Sequence, residues 1–395
     1  MKKWLCLIFL CLSLSIHAHE AQKDTPPGTL AISLALDSKG ALWRVQANGD
    51  FIEVAYSRDF KKFSTPVKVN PTAQNIHVMG EMRPKIAIGT QGEIYVAWMQ
   101  NLKPRFAGYI WFTRSLDGGK TFATPYIVHQ DRAEIGHAFE AMQVLPDGTI
   151  TLLWLDARDL IAAKAAGKMH SGSSIYYAIS TNSGASFQTE QKLADSSCEC
   201  CRIATTRKPD GTVAALWRHV FAGNERDHML AEIPKANVQP NPRRASFGHW
   251  QIDGCPHHGA ALASGGEGAD WWGYHLAYFD GNDNKPGLYY SRMDGVAWVS
   301  SVPKRFGTHK NQAGHPALLS QGEKVWLVWR EIEKNENLIL GMFSDDGGRN
   351  WQDAKVLMRS TGKLDYPQLL SHNNQPYLLC NSVKEGLKVL ALPVP

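Results

Sequence analysis

Three octapeptides decide the architecture: SLDGGKTF (115–122), STNSGASF (180–187) and SDDGGRNW (344–351). Each has Ser first, Asp or Asn third, Gly fifth and an aromatic eighth. The Ser and Asp/Asn side chains can hydrogen-bond their own backbone, and Gly supplies positive φ, so each octapeptide is a tight turn. The closing aromatic is expected to pack into its own unit. Degenerate copies read SRDFKKF (57–63) and SRMDGVAW (291–298).

Apolar strands precede these turns, as in GYIWFTRS (108–115), SIYYAIS (174–180) and LILGMFS (338–344). Upstream of each lies a hairpin whose second strand often ends in Trp. The clear hairpins are IAIGTQGEIYVAW (86–98), MQVLPDGTITLLW (142–154), IATTRKPDGTVAALW (203–217) and LLSQGEKVWLVW (318–329). Weaker copies are SLALDSKGALWRV (33–45), ALASGGEGADWWGYHLAYF (261–279) and LLSHNNQPYLLC (369–380). A unit of four antiparallel strands repeating at roughly 50 to 60 residues fits a propeller blade. The prediction is an all-β propeller over 28–395, with seven blades favoured and six the alternative. The last unit has only three clear strands, so a seven-bladed ring needs the N-terminal leader to supply a fourth.

The turns resemble the Asp-box (BNR) repeats of the sialidase superfamily, and the resemblance covers nearly all of the chain after its leader. It implies the propeller fold. For an enzyme it implies glycoside hydrolysis, with three arginines holding a sialic-acid carboxylate, a Tyr nucleophile assisted by Glu, and an Asp acid/base. MRPK (82–85) is the nearest match to the family's first arginine motif, and it stands in the second unit instead of the first.

Strands alternate in direction within a blade, so the Asp-boxes share a face with the short first-to-second turns, and that face is scaffold. The opposite face carries the lead-ins to the first strands and the exits from the second strands. These segments hold Arg83, Arg202, Arg218, Arg330, His257 and His315, assigned to substrate binding because guanidinium groups grip carboxylates bidentately. Tyr366, Glu331 and Asp156 are the catalytic candidates. The exit loop 159–172 has helix propensity and is expected to roof the mouth. Trp217, Trp250, Trp271 and Trp329 would serve a non-catalytic glycan-binding module, although Trp217 and Trp329 end second strands and fit packing between blades better.

CECCR (198–202) and DGCPHHG (253–259) open adjacent blades. Disulfides among Cys198, Cys200, Cys201 and Cys255 suit an oxidising compartment. The rival is a copper or zinc site of Cys200, Cys201, His257 and His258; otherwise no cofactor is expected. Lys2 and Lys3, an apolar run Trp4 to Ile16 and a small residue at Ala18 read as a signal peptide over 1–18, followed by a leader over 19–27. The expected location is periplasmic or secreted, with no membrane span in the mature chain. The 42 Lys and Arg against 37 Asp and Glu leave a net charge of +5, too small for a nucleic-acid partner. No P-loop, dinucleotide fingerprint or HExxH motif is present. The expected partner is a carbohydrate or a small anion.

Overall fold

The computed structural model describes residues 30–233 and 238–394. They form seven antiparallel sheets in chain order, spanning 33–68, 85–127, 137–197, 204–244, 261–306, 314–360 and 368–391. Each sheet runs as a meander, except that in the fifth the outer edge is two short segments, 299–300 and 304–306, that both pair with the third strand; the seventh has three strands among the described residues. Every first strand touches the first strands of the blades on either side, and the first strand of blade 7 touches that of blade 1. The ring is therefore closed around its first strands. All seven hairpins read from the sequence are blades. The proposed fourth strand of blade 7, the signal peptide and the leader lie outside the described residues or at their margin.

The core is cut into slabs between neighbouring blades. One buried cluster joins blades 1 and 2 around Val45, Ile52 and Trp98, and another joins blades 5 and 6 around Phe279, Phe306 and Trp329. The Trp residues closing the second strands, Trp98, Trp154, Trp217 and Trp329, are at most 1% exposed. Truncating such a side chain typically costs ~3–5 kcal/mol. Trp217 and Trp329 thus serve the packing, not ligand stacking.

The Asp-box turns share one hydrogen-bond plan. Ser115 Oγ donates to Asp117 at 2.8 Å and accepts from Gly119 N–H at 2.9 Å. Ser180, Asn182 and Gly184 repeat this at 2.9 and 2.9 Å, and Ser344, Asp346 and Gly348 at 2.8 and 2.9 Å. The closing aromatics differ from the sequence expectation. Phe187 of blade 3 meets Phe112 of blade 2 edge-on, with ring centres 5.0 Å apart. Trp351 of blade 6 meets Tyr290 of blade 5 at 4.7 Å. The boxes therefore reach back across the inter-blade seam. In the degenerate copy 291–298 the aromatic Trp298 meets Tyr274 of its own blade and also takes Arg243 of blade 4 over its ring.

The second box glycine explains the reach. A Cβ on Gly119 would lie 2.9 Å from Trp43, one on Gly184 2.7 Å from Phe112, and one on Gly348 1.8 Å from Tyr290. Each glycine has φ between +75° and +80° and seats its turn directly on the aromatic of the preceding blade.

Ring closure uses no shared strand among the described residues. Instead Asp365, just before blade 7, accepts Ala31 N–H at 2.6 Å and Ile32 N–H at 3.2 Å. Gln368 Oε1 accepts Leu34 N–H at 3.2 Å. Leu34, Leu42 and Leu379 pack behind this clasp.

Gly184→Ala should lower unfolding stability by about 1–3 kcal/mol from backbone strain, with a further loss from the collision with Phe112. Gly49, with φ +57° and nothing within 4 Å, isolates the backbone cost. Thermal unfolding should place Gly184→Ala clearly below Gly49→Ala; equal midpoints would remove the packing role.

Candidate functional site

One buried carboxylate gathers the channel mouth. Glu81, in the lead-in to blade 2, is 3% exposed. Its Oε1 faces His315 Nδ1 of blade 6 at 2.7 Å and accepts Arg202 Nη1 of blade 4 at 3.2 Å. A buried charge needs such partners to avoid a heavy desolvation cost. Burial pushes the Glu81 carboxyl up, but Arg202, His315 and Arg83 outweigh it and hold the group at about 2.

The surrounding backbone is shaped for this contact. A Cβ on Gly259 would fall 2.2 Å from Glu81 Oε2 and 2.3 Å from Arg202 Cγ, so glycine lets the blade 5 lead-in lie on the ion pair. A Cβ on Gly80 would fall 2.5 Å from the Tyr366 ring. His315 sits at φ +54°, where the first strand of blade 6 slips register between Gly314 and Ala317. Positive φ on a non-glycine residue at a bulge marks a position held by its surroundings. The bulge turns His315 toward Glu81 and lays its ring flat on Tyr366, with centroids 3.5 Å apart and planes 9° apart. His258 stands next, 5.5 Å from His315, and stacks on Phe279 at 4.1 Å.

The two stacked rings are driven toward opposite protonation states. Burial lowers the His315 pKa, opposed by the hydrogen bond and charge of Glu81. Burial and the Glu81 charge push the Tyr366 phenol up to about 12. The carboxylate assigns the Nδ1 proton of His315, leaving Nε2 with the lone pair. At neutral pH the pair is a neutral imidazole beside a protonated phenol.

Below this group, Lys85 donates to Arg83 O at 2.8 Å, and burial pulls its pKa down to about 8 against the pull of Glu140. Glu140 is 2% exposed, and neither carboxylate oxygen meets a hydrogen-bond donor among the described residues. Burial raises its pKa, with Lys85 opposing.

The arginines divide. Arg202 is fully engaged: besides Glu81, its Nε donates to Ala260 O at 3.0 Å and its Nη2 to Pro316 O at 2.7 Å. Arg83 donates to Ile32 O at 3.2 Å and Tyr366 O at 3.4 Å. Arg330 bonds Asn337 Oδ1 through Nε and Nη2 at 2.8 and 2.6 Å, and its charge acts on Tyr366. These three surround Tyr366. Arg218 does not join them; its guanidinium is 2% exposed and bonds Arg226 O, His258 O and Phe279 O.

Glu331 and Asp156 anchor loops. Glu331 accepts Trp329 Nε1 at 2.9 Å, Thr308 N–H at 2.8 Å and Asn311 Nδ2 at 3.2 Å. Asp156 accepts Trp154 Nε1 at 2.9 Å and three nitrogens of Arg158. A Trp binding the acid two residues on is thus a repeated structural device. His257 is exposed, apart from the cluster. The helix Arg158–Ala165 forms as expected and packs on the third strand of its own blade. Glu81, Lys85 and Glu140, which the sequence places among the reactive groups of the first-strand lead-ins without giving them a role, are the acid–base groups the fold adds. Their only sequence signal was placement in or beside first-strand lead-ins.

The described cysteines are free thiols, not disulfides. Cys198, Cys200 and Cys201 cluster under Val220. The expected Cys200–Cys201–His257–His258 set does not converge: the two sulfurs group with Cys198, while His258 stacks on Phe279 and His257 is exposed.

No family model matches the chain, and no curated protein matches it. Among solved structures, it is similar to a polysaccharide lyase of family PL25, an ulvan lyase bound to -[GlcA(1-4)Rha3S]-. The TM-score is 0.52 at 12% identity, covering 92% of this chain and 94% of that one. It also matches the Hadza microbial sialidase Hz136 (TM-score 0.49, 12% identity, 88% and 74% covered). A third match is the NanB sialidase of Streptococcus pneumoniae (0.48, 9%, 80% and 67%). At these identities the likeness is one of fold.

The lowered Glu81 pKa stabilises the fold above the ordinary carboxyl range, and that contribution is lost as pH falls from about 4.5 toward 2. The loss is on the order of 3 kcal/mol. Glu81→Gln should be destabilised at pH 7 and show a shallower fall in stability over that window in pH-dependent denaturation. An unchanged acid limb would show that Glu81 carries no net coupling.

Proposed function

We propose that the chain is a carbohydrate-active enzyme that takes an acidic sugar at the channel mouth and cleaves it by β-elimination. The observation that carries this reading is the His315–Tyr366 stack, with His315 fixed by Glu81. Elimination needs a base for the proton beside the carboxylate and an acid for the leaving oxygen. Neutral His315 Nε2 is the base and takes that proton. The electron pair forms the new C=C bond, and the glycosidic C–O bond breaks. Tyr366, held protonated, donates to the leaving oxygen. Opposed pKa pressures on adjacent groups are the usual mark of such a division of labour. Arg330 is the arginine best placed to meet the sugar carboxylate, since its bonds to protein run through Nε and Nη2 only. The match to an ulvan lyase over nearly the whole length of both chains agrees with this class of chemistry.

Hydrolysis is the second reading, favoured by the Glu81 charge acting on Tyr366 as in a Tyr nucleophile assisted by Glu. It ranks lower because it also needs a carboxylic acid poised to protonate the leaving group. Glu81 is held ionised, Glu140 is buried beside Lys85, and Glu331 and Asp156 are consumed by their loops. The sequence over 1–18 supports export to a compartment where acidic polysaccharide is met.

The test is product analysis on uronate-containing polysaccharides and on sialosides. Elimination yields an unsaturated, ultraviolet-absorbing end, whereas hydrolysis yields new reducing ends without it. We expect the unsaturated product, with kcat reduced about 10²–10⁴-fold in His315→Ala and Tyr366→Phe. Activity should fall only when pH drops through a His315 pKa below the ordinary 6.5, because the neutral ring is the active form. Release of free sialic acid would replace elimination with hydrolysis. No turnover of either class would leave a binding module.

A further inference from the structure

A second constellation lies in the lead-ins of blades 4 and 5. Cys198 and Cys200 Sγ are 3.6 Å apart, and Cys201 and Cys198 Sγ are 3.9 Å apart. All three sulfurs fall within 4.8 Å of one another, and the three residues are at most 6% exposed. Cys255, on the exposed loop of the next blade, neighbours Cys200, with its sulfur outside the 4.8 Å group of the other three. A disulfide needs about 2.05 Å between sulfurs. A tetrahedral Zn–S distance of ~2.3 Å instead sets an S···S edge of about 3.8 Å. The observed separations of 3.6 and 3.9 Å straddle that edge.

The local backbone is built to turn the thiols inward. Cys198 N–H donates to Arg218 O at 2.8 Å, and Val220 N–H donates to Ser196 O at 2.7 Å, pinning the strand end to the exit of the second strand. Ser196 sits at φ +59°, and Gly172 leaves room where a Cβ would be 2.0 Å from Ser197 O. The surroundings also answer negative charge. Arg218 Nε and Arg226 Nε are buried without an acceptor. The other triad of ligand-type residues, Glu225, Asp227 and His249, is already occupied by the Arg244 guanidinium.

We propose that Cys198, Cys200 and Cys201, completed by Cys255, bind one thiophilic d10 cation, Zn²⁺ or Cu⁺, which clips the blade 4 lead-in to the 253–259 loop. Soft thiolates select such ions. The same loop carries His258 and Gly259, so the clip also fixes the floor on which Glu81 and His315 meet. The site stands independently of the glycan reading.

The experiment uses full-length, tag-free protein, reduced anaerobically and loaded with Zn²⁺ or Cu⁺ in separate arms, then desalted for elemental analysis. About one equivalent of one of the two metals is expected. Cys198→Ser/Cys201→Ser should retain at least about tenfold less, and Cys380→Ser as much as wild type. Because a serine variant can misfold, Co²⁺ loading of the wild type gives a second readout: thiolate-to-cobalt charge-transfer bands with intense tetrahedral ligand-field absorption. Equal retention of both metals by wild type and the double variant, or cobalt spectra of an octahedral aqua ion, would overturn the site.

Discussion

A carboxylate sealed from water at the centre of the ring constrains everything around it. Glu81 is ionised in a place where an isolated charge would be intolerable, and its partners come from blades 4 and 6. Arg202 passes the constraint on, because its remaining nitrogens hold carbonyls of the blade 5 and blade 6 lead-ins. Four blades are thereby registered to one another at the mouth. Hydrophobic slabs between blades supply cohesion, but burial is non-directional. Directional bonds to Glu81 and Arg202 decide how the lead-ins are turned.

This explains why the arginines of the mouth are not a simple anion clamp. A sugar carboxylate arriving at Arg202 would have to displace Glu81 or a backbone carbonyl, each in a low-dielectric setting where lost bonds are costly. Arg202 therefore acts at a distance, by holding Glu81 charged and so His315 in one tautomer. Arg330 bonds protein only through Nε and Nη2, both to Asn337. Positioning and contact are divided between residues that look equivalent in the sequence.

The blades were legible because their signals are local. A tight turn at Ser115 or Ser344, and a hairpin ending in Trp154 or Trp329, each declare themselves within about a dozen residues. The face of the ring on which reactive groups gather followed from strand alternation alone, which is why Tyr366, His315, Arg83, Arg202 and Arg330 could be grouped. Which of them is free to act was not legible. Glu331 and Asp156 carry the right chemistry at the right face, yet each is spent on a Trp two residues away, a pairing that only side-chain direction reveals. Glu81 looked ordinary because its two partners are 121 and 234 residues distant. The Asp-box aromatics were misplaced for a related reason: period and composition cannot say on which side of a blade a side chain leans.

Ring closure and the mouth turn out to be one problem. Asp365 seizes the backbone of Ala31 and Ile32 where another propeller would share a strand between its ends. Arg83 then bonds the carbonyl of Ile32 on one side and that of Tyr366 on the other. The segment that shuts the ring is therefore the segment that presents Tyr366 to His315. Burial raises the Asp365 pKa, with Arg83 opposing, and the same Arg83 charge helps hold Glu81 ionised. A ring closed by side chains at its own mouth ties the integrity of the scaffold to the placement of its most reactive pair.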